Sequence, residues 1–193
     1  GKPYKFYHGT NSPDMKRLLI SINEADKPHG TTVGKTHLVE VDMGEFVKGN
    51  IKVLNKGLAT GVQKKTVSFR QYYSNDGKLI ANSGGDRMWL IDAKTLETID
   101  NHLMGERGEN HDAMFTPDDQ YIVATSRNKS ILPDCEDPKN PKEGEFLIDG
   151  SLHLYDVKAK KFIGKGTSVC LACHNEEGLD VHAVLCGLDA NFK

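Results

Sequence analysis

Thr116-Pro117-Asp118-Asp119-Gln120-Tyr121-Ile122-Val123-Ala124 decides how the rest of the chain reads. Its first half carries turn chemistry, because Pro and Asp favour the tight reversals that join strands. Its second half is an apolar, β-branched run that favours a buried strand. Two earlier stretches share this layout: Ser12-Pro13-Asp14-Met15-Lys16-Arg17-Leu18-Leu19-Ile20 and Ser74-Asn75-Asp76-Gly77-Lys78-Leu79-Ile80-Ala81. A turn followed by a strand, recurring along one chain, marks an internal repeat.

A second signature follows each opening, a short apolar strand ending in Asp. The copies are His37–Asp42, Arg87–Asp92 and Ser151–Asp156. After each comes a polar turn and another short strand, at Ile51–Leu54, Leu96–Ile99 and Lys161–Ile163. One further strand precedes each opening, around Tyr4–His8, Val67–Tyr73 and Asp112–Phe115. Four short antiparallel strands per repeat of roughly 40 residues predict an all-β chain of β-propeller blades. Ser74 and Thr116 are about 42 residues apart and fit this period, whereas Ser12 and Ser74 are about 62 apart, so the first unit carries insertions. The segment from Asn128 to Glu145, rich in Pro, Asp, Lys and Glu, predicts a surface loop. A self-contained β-sandwich is the alternative. The turn, strand and terminal Asp together resemble the YVTN and cytochrome-d1-type propeller repeats across residues 4–165. The expected units are residues 1–62, 63–108 and 109–165, followed by a segment at 166–193. Propellers typically have about four to eight blades, so about three leave a partial ring with two sheet faces uncovered. The remaining blades are expected from another subunit or from another segment of a longer polypeptide.

The final segment carries Cys170-Leu171-Ala172-Cys173-His174, a complete C-x-x-C-H motif for c-type haem attachment. Two thiols add to the two vinyl groups on one edge of the macrocycle, and the next residue reaches the iron. Cys170 and Cys173 are therefore the expected attachment points for one covalent haem c, with His174 as the proximal iron ligand. A thioredoxin-like reading lacks its βαβ context, and a zinc site would have only Cys186 to add. About 19 residues follow His174 and none is Met, so a small cytochrome c domain is not encoded downstream. His182 is the first candidate for the distal face. Cys135 and Cys186 could pair as a disulfide or remain as separate thiols.

Two of the eight histidines stand just ahead of repeat turns, His8 and His111, and the matching stretch of the second unit is Phe69-Arg70. The first strand of a blade lines the central channel, so His8, Arg70 and His111 are candidate hub residues. Propeller oxidoreductases that this layout resembles hold copper or haem d1, or bind substrate anions, at such a place. Imidazole suits copper and iron, and Arg suits oxyanions. The remaining histidines, His29, His37, His102 and His153, read as structural or solvated, with His102 in a loop, and Trp89 reads as core.

The 193 residues carry a formal net charge of −2, so no global field favours nucleic acid. No apolar run reaches transmembrane length. The N-terminal Gly1-Lys2-Pro3-Tyr4-Lys5-Phe6 lacks a signal-peptide core, so a mature, processed chain or a piece of a longer one is expected. Covalent haem attachment implies export to the periplasm or cell exterior. The leading expectation is an electron-transfer protein that works with a redox partner protein, as part of a hetero-oligomer. One alternative is a subunit of a nitrite-, nitrogen-oxide- or copper-type propeller oxidoreductase with the haem as electron exit. Another is a structural subunit completing a partner's propeller in a multihaem assembly.

Overall fold

All three repeat openings fold as the same turn. The hydroxyl of Ser12, Ser74 or Thr116 donates to the carboxylate two residues on, Asp14, Asp76 or Asp118, at 2.6, 2.8 and 2.6 Å. That hydroxyl also accepts the backbone N–H of Arg17, Leu79 or Tyr121, which starts the next strand. The fourth turn residue adopts a left-handed backbone in each copy: Met15 (φ 58), Gly77 (φ 71) and Asp119 (φ 57). The Ser/Thr-x-Asp spacing is thus the device that reverses the chain, using side-chain oxygens to satisfy N–H groups the turn would otherwise orphan.

The computed structural model describes residues 1–105, 108–131, 136, 137, 139 and 146–168. Strands β1 (Tyr4–Asn11), β2 (Arg17–Ala25), β3 (Thr32–Asp42) and β4 (Val53–Thr60) pair consecutively into an antiparallel sheet. The second repeat contributes β5 (Thr66–Tyr73), β6 (Leu79–Gly85), β7 (Arg87–Asp92) and β8 (Thr98–Leu103). The third contributes β9 (Gly108–Phe115), β10 (Tyr121–Ile131), β11 (Phe146–Asp156) and β12 (Lys161–Ser168). Each set pairs in chain order, and one pair, Gly85 with Asn110, links β6 to β9. The first strands β1, β5 and β9 lie side by side. Three such four-stranded antiparallel sheets, arrayed with their first strands together, make a partial β-propeller.

The sheets pack face to face through residues of opposite pleat. Leu19, Leu38 and Ala59 of the first blade meet Ile80, Trp89 and Ile91 of the second in one buried cluster. Ala81, Met88 and Leu90, the other face of the second blade, meet Phe115, Ile122 and Tyr155 of the third. Being covered on both faces explains why β6 and β7 read as nearly continuous buried runs rather than alternating ones. Between the first two blades a part-buried ion pair joins the apolar contacts, its carboxylate buried and its guanidinium partly exposed. Glu40 accepts from Arg17 at 3.0 Å and from the Tyr73 hydroxyl at 2.5 Å.

Several local expectations are corrected. The last strand of the first unit is Val53–Thr60 rather than Ile51–Leu54, because β3 begins at Thr32 and needs a longer partner. The first unit's extra length goes into these long strands and into a short helix, α1 (Met43–Phe46), capped by the Asp42 carboxylate. His102 lies on β8 rather than in a loop, paired with Met88, its ring packed edge-on against Tyr155 and Phe162. Gly84 and Gly85 close strand β6, and only Asp86 separates β6 from β7. The stretch 128–145 is not all loop, since β10 runs to Ile131.

Candidate functional site at the inner strands

Counted back from the turns, the residue four positions ahead is His8, Arg70 and Asp112. A hydroxyl on the second strand of each blade contacts the backbone of that residue. Ser21 donates to the His8 carbonyl at 3.5 Å, Ser83 to the Arg70 carbonyl at 3.0 Å, and Thr125 accepts the Asp112 N–H at 3.0 Å. The residue one step earlier is Tyr7, Phe69 and His111, and these rings form a second row. Tyr7 meets Phe69 edge-on at 5.7 Å, and Phe69 stacks on His111 at 4.3 Å with an interplanar angle of 11°. The hub therefore has two layers, one charged and one aromatic.

The structure brings His8, Arg70 and His111 onto adjacent inner strands, but His111 belongs to the aromatic layer. The residue equivalent to His8 and Arg70 is Asp112, which sequence reading missed. The signal was available, because the Ser/Thr of each turn fixes the count, and the five-residue offset of His111 differs from the four-residue offset of His8 and Arg70.

In the charged layer, Arg70 donates to the Asp112 carboxylate at 3.1 Å. Asp112 is fully buried while the Arg70 side chain is 44% exposed, so the guanidinium spans from the core to solvent. The Tyr72 phenol interacts with both partners, and burial raises its pKa. His8 accepts the Gln71 backbone N–H at Nδ1 at 3.3 Å, which leaves its proton on Nε2. Burial first, and the Arg70 charge second, hold His8 below the usual imidazole range, so it is neutral at pH 7.

Around His111, Glu109 gathers two donors. His111 Nε2 lies 2.8 Å away and an Arg127 guanidinium nitrogen 2.6 Å away. The hydrogen bond from His111, then that from Arg127, lowers the Glu109 carboxyl to about 2 despite partial burial. Its folded pKa lies below its unfolded value, so its contribution to stability is present above about pH 4.5 and is lost as pH falls toward 2. Glu109→Gln is therefore expected to flatten the acid limb of a stability–pH profile between about pH 4.5 and 2. Denaturant melts of wild type and variant that run parallel through that window would contradict it.

Arg70→Gln gives a complementary readout. Removing the neighbouring cation is expected to raise the His8 pKa, though not to the ordinary value, because burial is the larger cause. An NMR titration of the His8 ring that shows no rise would contradict the assignment.

Copper or a second haem does not fit this hub. His8 uses Nδ1 to accept a backbone N–H, His111 is tied to Glu109, and Asp112 is paired with Arg70. Among the described residues, no three His, Cys, Asp or Glu side chains form a group able to hold a metal ion. What the hub offers is hydrogen-bond donation, from the half-exposed Arg70 and the neutral His8.

Cys170, Cys173, His174 and His182 lie outside the described residues, as do Cys135 and Cys186. No helix among the described residues is long and apolar enough to cross a membrane.

Comparison with known proteins supports the fold. No protein-family model matches the sequence, and no curated protein matches it. Among solved structures, hydrazine synthase from Kuenenia stuttgartiensis is similar at a TM-score of 0.51 with 15% identity, covering 84% of this chain and 53% of that one. An acylaminoacyl peptidase from Pyrococcus horikoshii is similar at a TM-score of 0.50 with 14% identity, covering 86% of this chain and 25% of that one. At these identities the likeness is one of fold. The chain spans about half of the first of these proteins and a quarter of the second.

Proposed function

We propose that this chain is an exported electron-transfer protein that carries one haem c, held by Cys170 and Cys173 with His174 on the iron, within a larger redox assembly. The observation that carries this reading is Cys170-Leu171-Ala172-Cys173-His174. When bound, the haem supplies a one-electron iron couple whose potential depends on axial ligation and burial. His182 is the candidate for the second axial position.

The position of the motif along the chain supports a rim-mounted group. Strand β12, the outermost of the third blade, ends at Ser168, just ahead of Cys170. Ser168 pairs with Ser151, Ser151 with Ser126, and Ser126 with Asn110, so one row crosses the blade from rim to hub. At the usual spacing of adjacent strands this row is about 14 Å long. The described chain thus leaves the third blade from its outermost strand, two residues before Cys170, and the chain next to His111 lies at the other end of the row.

A second reading, in which the hub binds a small oxyanion for a propeller oxidoreductase, is favoured by the half-exposed Arg70 beside a neutral His8. Its weakness is charge. Asp112 and Glu109 balance Arg70 and Arg127, so the described hub has no net positive field. A third, structural reading makes the blades a completion piece for a partner in a multihaem assembly.

Metal analysis with a binding assay separates these readings. One iron per chain, no copper and no nitrite affinity support simple electron transfer. Nitrite binding that disappears in Arg70→Gln supports the hub reading. Stable co-purification with another haem protein supports the structural one.

A further inference from the structure

Two tyrosines reach across the blade boundaries, one at each. The Tyr73 hydroxyl of the second blade donates to Glu40 Oε1 of the first at 2.5 Å. The Tyr155 hydroxyl of the third blade donates to Asp100 Oδ2 of the second, also at 2.5 Å. Both tyrosines are buried, and burial first, then the bond to the carboxylate, raises the pKa of each phenol. As hydrogen bonds between blades the two are alike. As routes for a proton they differ.

Glu40 Oε1 also accepts from Arg17 at 3.0 Å, and the Arg17 guanidinium lies over the Tyr73 ring, 5.3 Å from its centroid. A proton arriving on that oxygen would break the ion pair, and the cation opposes loss of an electron from the ring beside it. Asp100 has no such cation. Its one ion-pair contact among the described residues is His102 Nδ1, 3.8 Å from the same oxygen and beyond hydrogen-bond distance. The Asp100 and His102 side chains are 24% and 35% exposed, whereas Tyr155 is fully buried. The pair therefore joins a phenol shut away from water to a carboxylate that reaches it.

Aromatic rings surround this phenol. Tyr155 meets Phe162 at 5.4 Å and His102 at 6.0 Å, both edge-on. Phe162 in turn meets His102 at 4.9 Å and His153 at 5.7 Å. Ring contacts thus lead from the buried phenol to His102, which touches solvent. Trp89, another fully buried ring that can be oxidised, has no acceptor for its indole proton among the described residues.

We infer that Tyr155 is a proton-coupled redox site that gives single electrons to peroxide-derived one-electron oxidants, with Asp100 as its proton acceptor. In the oxidation step the phenol loses one electron to the oxidant and its O–H bond breaks. The proton forms a new O–H bond on Asp100 Oδ2. Tyr155 becomes a neutral phenoxyl radical and Asp100 a neutral carboxylic acid, so no positive charge is stranded in the interior. A one-electron reductant of the ascorbate class reverses both transfers. The His102 and Phe162 rings bridge the electron's path between Tyr155 and the surface. Burial keeps the radical from coupling to a second phenol, so the oxidising equivalent is held rather than spread. This inference does not rest on the haem reading.

The test oxidises the full chain, as purified, with photogenerated tris(bipyridine)ruthenium(III), an outer-sphere one-electron oxidant. Samples are frozen for electron paramagnetic resonance after a delay at which the radical of free tyrosine has decayed. Wild type is expected to retain a phenoxyl signal. Tyr155→Phe is expected to lose it, and Tyr73→Phe to keep it at wild-type yield. Asp100→Asn keeps an oxygen for the hydrogen bond but cannot take the proton. It is expected to lower the yield about a hundred-fold, the low end of what a positioned base contributes. All three changes preserve side-chain shape, and far-UV circular dichroism is expected to match wild type. A wild type without a persistent phenoxyl would overturn the inference. So would a signal that survives Tyr155→Phe, one that disappears in Tyr73→Phe, or an undiminished yield in Asp100→Asn.

Discussion

Trp89→Ala is expected to remove about 3–5 kcal/mol of stability, the range for deleting a large buried aromatic. Trp89 is fully buried on β7 and is the largest side chain in the contact between the first two blades. A Cβ at Gly84 would come within 2.8 Å of its ring, so the adjacent strand is cut away to admit the indole. Its neighbours in the cluster, Ile80 and Ile91, are held by their own ladders and can collapse only partly into the void. Domains of ordinary stability have about 5–15 kcal/mol in total, so the loss removes a large fraction of it. The indole N–H has no hydrogen-bond partner among the described residues. Trp89→Phe should therefore cost much less than the alanine change, because it keeps most of the volume and removes an unsatisfied buried donor. Urea melts measure both, and a loss under about 1 kcal/mol for Trp89→Ala would contradict the packing account.

The second large effect is chemical. Replacing Cys170 and Cys173 together by Ser is expected to abolish covalent haem entirely, since no thioether can form. The blades should remain folded, because both cysteines follow the last strand of the third blade, which ends at Ser168. Folded, colourless protein with an unchanged β-sheet circular dichroism spectrum is the expected result. Retention of covalent haem by this variant would contradict the assignment of the two cysteines.

The repeat was legible because its turn is made by local side chains. Ser12 with Asp14, Ser74 with Asp76 and Thr116 with Asp118 act within two residues, so sequence alone carries the signal. Strands ending in Asp were legible for the same reason, since Asp92 accepts the N–H groups of Lys94 and Thr95 just beyond β7. Strand lengths were less legible. The extension of β4 to Thr60 depends on the partner β3, and the pairing of His102 depends on β7. Each partner is the neighbouring strand across a turn, so the pairing reaches well beyond the two-residue contacts that set the repeat turns, and it overrode short-range polarity.

The hub was half legible. Chain position identified inner strands, and with them His8 and Arg70. It did not identify Asp112, whose role depends on reaching Arg70 across the gap between two blades. It also grouped His111 with His8, whereas the ring of His111 stacks on Phe69 one layer away. Side-chain layering along a strand alternates with single residues, so an error of one position exchanges the layers.

The central claim is that one haem is bonded to this chain, and the direct measurement is an acid–acetone extraction of protein matured in an export-competent, haem-attaching host. The account predicts that the colour stays with the precipitated polypeptide and gives a c-type pyridine haemochrome equivalent to one haem per chain. Colour that passes wholly into the acetone, or a colourless purified protein, would contradict it.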